Sequence, residues 1–460
     1  MDAFRVLGGR RLQGTVEIGG AKNAALPMMA AALLVPGRTF LRRVPHLRDV
    51  RTMRELLGAL GVRGDYTDHC FEIDATTLDS HVAPYDIVRR MRASIYVLGP
   101  LLARVGKAKV SLPGGCAWGP RPVDLHLKGM EALGASVSLE EGYILAEAPP
   151  GGLRGGRIAF DISSVGATGN VLMAASLAKG TTVIENAACE PDIVALAEFL
   201  IAAGARITGQ GTATIAVEGV AGLHSVEFEN IPDRIEAGTY AVAAAITWGD
   251  VLLRGARADQ MAIVLERLRE MGAAVTEELG GVRVRGDGGG ISGSGAARVG
   301  ADVVGVGAGG IGAARTGPPG AASAPEGLRA IDITTQPYPG FPTDLQAQFT
   351  ALLCLAQGTG VVTDTIYPDR FTHIPELIRL GAEIKLHANV VTVSGVASLQ
   401  GAEVMSTDIR ASSALVLAGL AAQGETRIHR VYHIDRGYES IETRLQGLGA
   451  MIERYDAGGP

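Results

Sequence analysis

Cys116 stands in the stretch LPGGCAWGPRPVD, between paired glycines and five residues before Arg121. Cysteine is ordinarily a small buried hydrophobe. Here Gly114, Gly115 and Gly119 deny it packing neighbours, and a cation close in sequence favours a reactive thiol, so the stretch reads as a reactive cysteine on a mobile loop. Cys70, Cys189 and Cys354 have no such surroundings and read as packing residues, Cys354 most firmly because its helix is apolar. A set of cations accompanies Cys116. Lys22 and Asn23, in GGAKNAALPMMAAALL, open an alanine-rich helix whose free N–H groups attract anions. Arg92 lies one turn ahead of another apolar helix, where an arginine opposes the helix dipole unless something anionic is near. Arg370 in IYPDRFTH, Arg410 in TDIRASSALVLAG and Arg436 in YHIDRGYES sit beside turns. Taken singly each reads as a solvated arginine; as a set they suit a phosphorylated or carboxylated ligand. Asp344, in PYPGFPTDLQAQF, reads as the N-cap of the helix that follows and as a general base if its carboxylate also faces a cleft.

These residues need a scaffold, and the composition supplies one. The 460 residues exceed one ordinary domain; 47% are hydrophobic and 20% charged, enough for sizeable cores. A net charge of −6 argues against nucleic acid as the main partner. The four cysteines share no C-x-x-C spacing and no His-rich neighbourhood, so neither a zinc site nor a disulfide framework is expected, and no metal or other cofactor. The first residues lack the apolar core of a signal peptide, and no apolar run reaches membrane-span length. The expectation is a soluble cytoplasmic protein with no membrane association.

Six glycine pairs reveal an internal repeat: Gly37/Gly61, Gly106/Gly134, Gly180/Gly204, Gly249/Gly272, Gly358/Gly381 and Gly424/Gly449. Each pair encloses a β-rich stretch and a helical run, and the second glycine falls where a helix ends in a left-handed residue. In AKGTTVIENAACEPDIVALAEFLIAAGARI and AQGTGVVTDTIYPDRFTHIPELIRLGAEI, Pro-Asp is expected to open the helix. Apolar segments such as ATGNVLMAASLA and DLQAQFTALLCLA precede the first glycine of a copy and should lie inside, surrounded by sheets. The closing glycines step by 73, 70, 68, 109 and 68 residues, so one interval carries a surplus. That surplus is the segment 286–320, in which 14 of 35 residues are glycine, and it reads as a flexible insertion. Its GVGAGG, Gly305 to Gly310, matches a dinucleotide fingerprint, but IGAARTGPPG behind it cannot supply the required helix, so no nicotinamide site is expected.

The motifs GGAKNAALP, MRASIYVLGPLLAR, GGCAWGPRPVDLHL, SSVGATGN, ENIPDRIEAGT, PYPGFPTDLQAQF and HIDRGYE resemble those of the enolpyruvyl transferase family, in its branch that acts on UDP-N-acetylglucosamine. The resemblance covers almost the whole chain except the glycine-rich insertion and the last few residues. It implies an α/β fold: a two-domain inside-out α/β barrel of six βα repeats. Residues 21–229 would form the lobe with the cysteine loop, and 1–20 plus 230–460 the other, with ligands between them. The partners implied are phosphoenolpyruvate and UDP-N-acetylglucosamine. Lys22 and Asn23 match a phosphoenolpyruvate-contacting pair and Arg92 a substrate-binding arginine. Cys116 matches a proton donor that can be attached covalently to phosphoenolpyruvate. Arg121, Pro122, Val123, Asp124 and Leu125 match the loop holding the uridine end, while Ser164, Val165 and Gly166 match a diphosphate-contacting turn. Asp344 matches the carboxylate at the attacking hydroxyl. Arg370, Arg410 and Arg436 match the arginines around the phosphate and carboxylate, and Ile366 matches a backbone contact to the nucleotide. Two features depart from the family: Ile162 stands where some members have a lysine beside the nucleotide phosphates, and the insertion is atypical.

The implied reaction needs an acid on one face of an enol phosphate and a base on the other, because its central carbon becomes electrophilic only when the neighbouring methylene is protonated. Cys116 would be the acid and Asp344 the base, with the cations stabilising charge as phosphate leaves. Two alternatives share the fold or the ligand: an enzyme acting like 5-enolpyruvylshikimate-3-phosphate synthase, from which the GGC…RPVDLH loop is not expected, and a catalytically silent UDP-sugar-binding paralogue, against which the full residue set speaks.

Overall fold

The computed structural model describes residues 2–112, 123–286 and 327–458. Cys116, Arg121, Pro122, nearly all of the expected insertion and its GVGAGG lie outside the described residues.

Six helices run through the interior: Lys22–Ala31, Val165–Ala175, Arg234–Ile246, Gln346–Leu353 and Ile409–Ala421 are almost wholly buried, and Leu98–Val105 is buried from Leu98 to Leu102 and emerges at Val105. Their sequences explain it. Five of the six carry no charge beyond the first turn, so they lack the polar face that a surface helix turns to water. The two segments expected inside, ATGNVLMAASLA and DLQAQFTALLCLA, contribute two of these helices.

Six four-stranded sheets surround the helices. In a representative copy, strand Arg157–Ala159 leads into the buried helix Val165–Ala175 and pairs in parallel with Thr181–Glu185. The outer helix Pro191–Ala202 follows, and then the antiparallel strands Arg206–Thr208 and Thr214–Glu218 complete the sheet. A parallel pair requires a crossover, and the buried helix is that crossover. The closing glycines Gly61, Gly134, Gly204, Gly272, Gly381 and Gly449 all have φ between 89° and 105°. A side chain there would cost roughly 1–2 kcal/mol, which is why glycine recurs.

Two hydrophobic cores result. One is built from residues between Ala21 and Val226, the other from Phe4 to Ile18 together with Ile235 to Ile452. Strands exchange at the junction. Asp2–Leu7 pairs with Glu425–His429 and Met451–Asp456, and Gln13–Glu17 pairs with Asp250–Arg254, whereas Val226–Glu229 pairs with Arg38–Arg42. These cores define two halves of the molecule.

Two local expectations require correction. Pro-Asp opens the outer helix at Pro191, but Pro368-Asp369 does not; the corresponding helix starts at Ile374. The buried Asp364 accepts the N–H groups of Ile366 and Tyr367, which holds the segment as a turn and competes with helix initiation. Asp344 does not cap its helix either. It lies within the 3-10 turn Thr343–Leu345, ahead of a helix that begins at Gln346, and its carboxylate is drawn away by arginines. Neighbouring buried helices do have caps: Ser164, Asp233 and Asp408 each accept an N–H from their own first turn.

Candidate functional site

Charges meet where the first turns of the buried helices adjoin. Lys22 is the first residue of its helix and Arg410 the second of another, so the apolar packing that buries the helices also buries these cations. Asp344 lies between two guanidiniums, with Arg370 Nη2 at 2.8 Å from one oxygen and Arg410 Nη2 at 3.0 Å from the other. Burial by itself would raise the Asp344 pKa; Arg410 and Arg370, with Lys22 further off, outweigh it and hold the carboxyl well below the usual range. Arg410 also donates Nη1 to the Tyr438 hydroxyl at 3.3 Å, and Arg370 donates Nη1 to Thr343 Oγ1 at 3.0 Å. Arg370 Nε is buried and makes no hydrogen bond among the described residues.

The opposite side carries the second part. Lys22 Nζ lies 3.8 Å from Asp49, which also accepts from Arg436 Nε at 2.9 Å. Burial lowers the Lys22 pKa; Asp49 opposes this, and the like charges of Arg410 and Arg436 add to it. Lys22 N–H donates to Asp233 at 3.2 Å, so a carboxylate from the other half serves the start of this helix. Asn23, next to Lys22, is half-buried and does not cap the helix, whose N-cap is Ala21. Arg92 is half-buried and starts the 3-10 helix Arg92–Val97.

A second group gathers at the ends of two helices in the first half. Val123 precedes helix Asp124–Ala132, which contains Leu125, while Ser164 caps the helix begun by Val165 and Gly166. A β-carbon on Gly166 would fall 2.9 Å from the His126 ring, so glycine permits the two helix starts to touch. His126 Nδ1 lies 2.8 Å from Asn170 Nδ2. Asn170 is oriented by accepting from Gly99 N–H and donating to Ile95 O, so Nδ1 must be the acceptor and the ring is neutral. Burial pushes its pKa down to about 4. Ile366 is held on its turn by Asp364, which takes its N–H at 2.9 Å. Ile162 is 65% exposed. Cys354 is buried, with its thiol pushed up to about 12 by desolvation, whereas Cys70 and Cys189 are only half-buried.

The structure therefore gathers Lys22, Asp344, Arg370, Arg410 and Arg436 from distant parts of the chain. Sequence reasoning missed Asp49, Asp233 and Asp364. Asp49 follows Arg48 in an ordinary amphipathic helix and carries no local signal; Asp233 reads as a cap, and its second contact is long-range. Such an array can bind an anion carrying phosphate and carboxylate groups beside a carboxylate able to accept a proton. Among the described residues there is no cluster of three or more His, Cys, Asp or Glu arranged to hold a metal ion, and no helix is long and apolar enough to cross a membrane.

Comparison with known proteins gives the family of the chain. The model of the EPSP synthase (3-phosphoshikimate 1-carboxyvinyltransferase) family matches residues 6–445. Proteins named UDP-N-acetylglucosamine 1-carboxyvinyltransferase from Zymomonas mobilis and Xanthobacter autotrophicus are each 50% identical, over 99% of this chain and 99% of their own. Among solved structures, the enolpyruvyl transferase NikO from Streptomyces tendae superimposes with a TM-score of 0.82 at 24% identity, covering 99% of both chains. EPSP synthase from Acinetobacter baumannii follows with 0.71 at 18%, covering 99% of this chain and 100% of its own. The chain belongs to the EPSP synthase family of enolpyruvyl transferases, alongside the UDP-N-acetylglucosamine 1-carboxyvinyltransferases.

Proposed function

We propose that this protein transfers the enolpyruvyl group of phosphoenolpyruvate to the 3′-hydroxyl of UDP-N-acetylglucosamine and releases phosphate. The observation that carries the reading is Asp344 held between Arg370 and Arg410 with Lys22 close by, in a chain half identical to enzymes of that name. Lys22, Arg370, Arg410 and Arg436 take the phosphate and carboxylate of phosphoenolpyruvate. Asn23 and Arg92 add substrate contacts. Arg121 to Leu125 hold the uridine end, Ser164 to Gly166 the diphosphate, and Ile366 a backbone contact. The lobes are residues 21–229 and 1–20 plus 230–460, a division that the two cores support. The product is a cell-wall precursor made in the cytoplasm.

Cys116 delivers a proton to the methylene of phosphoenolpyruvate. The sugar oxygen attacks the central carbon and its proton passes to Asp344. The Cys116 thiolate takes back a methyl proton as phosphate is expelled and the double bond is restored, and the proton on Asp344 leaves with the phosphate, so the net products are the enol ether and inorganic phosphate. Asp344 paired with two arginines is a weak base. Phosphoenolpyruvate competes for those guanidiniums and thereby relieves the suppression of its pKa, so the base is generated by the substrate that needs it.

Phosphate release from phosphoenolpyruvate tests the reading. Release that depends on UDP-N-acetylglucosamine and not on shikimate 3-phosphate is expected; the converse dependence, or none, overturns it. Cys116 should be the thiol labelled by the anionic epoxide fosfomycin. Cys116→Asp should keep some turnover without labelling, and Cys116→Ser should lose far more, because a hydroxyl is too weak an acid.

A further inference from the structure

Asp364 follows strand Thr359–Thr363 and is completely buried. One oxygen accepts from the Thr335 hydroxyl at 2.8 Å and from the N–H groups of Ile366 and Tyr367, both at 2.9 Å. The other accepts from the Thr343 hydroxyl at 2.7 Å. A carboxylate only accepts, so Thr343 spends its single hydrogen on Asp364 and turns its lone pairs elsewhere. Arg370 Nη1 donates to them at 3.0 Å, while its Nη2 pairs with Asp344. The N–H bond to Tyr367 provides a second route, because the Arg370 guanidinium lies 5.4 Å from the Tyr367 ring centre.

We propose that Asp364 is a positioning residue of the reaction: through Thr343 and Tyr367 it sets the orientation in which Arg370 meets Asp344 and the bound anion. The proposal rests on the enolpyruvyl-transfer reading. It assigns work to three residues, Asp364, Thr343 and Tyr367, that lie one step behind the charges touching substrate. Asp364 also has a structural duty, because it accepts from the Ile366 and Tyr367 N–H groups and the Thr335 hydroxyl, so the bond to Thr343 is the one a test must isolate.

The test is a double-mutant cycle on phosphate release. Thr343→Val should lower kcat/KM for phosphoenolpyruvate about tenfold, the scale of a hydrogen bond to a charged group, with KM for UDP-N-acetylglucosamine little changed. Thr343→Ser keeps the hydroxyl and should restore the parent value. Asp364→Asn should cost a similar factor, and combining it with Thr343→Val should cost little more than either alone. Thr335→Val removes a donor from the same carboxylate without touching Thr343 or Arg370; it should lower the melting temperature and leave kcat/KM within about twofold. Multiplicative losses, or a Thr335→Val variant as slow as Thr343→Val, would refute the positioning role. A silent parent enzyme would instead refute the reaction. In that event, binding of inorganic phosphate measured by calorimetry still reads Arg370, and equal affinity in parent and Thr343→Val overturns the proposal.

Discussion

Asp344 and Asp49 are both carboxylates held by two cations at the meeting of the halves, yet they are held differently. Both arginines on Asp344 come from its own half. Asp49 takes Lys22 from its own half and Arg436 from the other, 387 residues away in the chain. The Asp344 side chain keeps 24% of its surface, whereas Asp49 keeps 6%. One carboxylate is assembled within a single half and stays open to a ligand. The other is shielded, and its second cation arrives only when the halves meet. The first is suited to chemistry and the second to holding the halves in register.

The largest expected effect tests that division. Asp344→Asn keeps the shape but removes the base, and should cost roughly 10²–10⁴ in phosphate release. Asp49→Asn should cost far less. If the two variants lose turnover equally, the distinction between an open and a shielded carboxylate fails.

A second comparison concerns stability, because each half buries a neutral histidine. Burial pushes both His126 and His373 down to about 4. Their pKa values are lower in the folded state than the ordinary 6.5, so the unfolded chain takes up protons first as pH falls. The stability is fully present above pH 6.5 and is lost between 6.5 and about 4, by at most about 3 kcal/mol for each histidine. Melting temperature should decline through that window, and less steeply in a His373→Phe variant. An unchanged slope in the variant would remove this histidine from the account.

The smallest effect sharpens the role of Asp49. Its charge opposes the loss of the Lys22 proton, whose pKa already lies below the ordinary 10.5. Asp49→Asn should therefore move the alkaline limb of kcat/KM for phosphoenolpyruvate to lower pH, with a loss of about tenfold near neutrality, the scale of one charged contact. A limb that stays in place would mean that Lys22 does not carry it.

The glycine spacing made the six repeats legible, because a helix that must end left-handed leaves glycine at a fixed place in every copy. The buried helices were legible for a similar reason, since a helix without a polar face has one place to go. Local pattern misled at Pro368-Asp369 and at Asp344. Asp344, a residue that prefers to cap, is captured by arginines that the fold brings near, whereas ahead of Pro368-Asp369 the buried Asp364 takes the N–H groups of Ile366 and Tyr367 and holds the chain as a turn.

The sequence alone determined which residues are available for chemistry and how many times the scaffold repeats, because those follow from side-chain type and from short-range backbone preference. Only the tertiary structure decided which charges face one another. Lys22, Asp49, Asp344, Arg370, Arg410 and Arg436 span more than 400 residues of chain, and electrostatic pairing depends on separations of a few ångströms that no local pattern encodes. The strand exchange that brings residues 2–17 into the second half, and the shared use of Asp233 by two helices, create those separations.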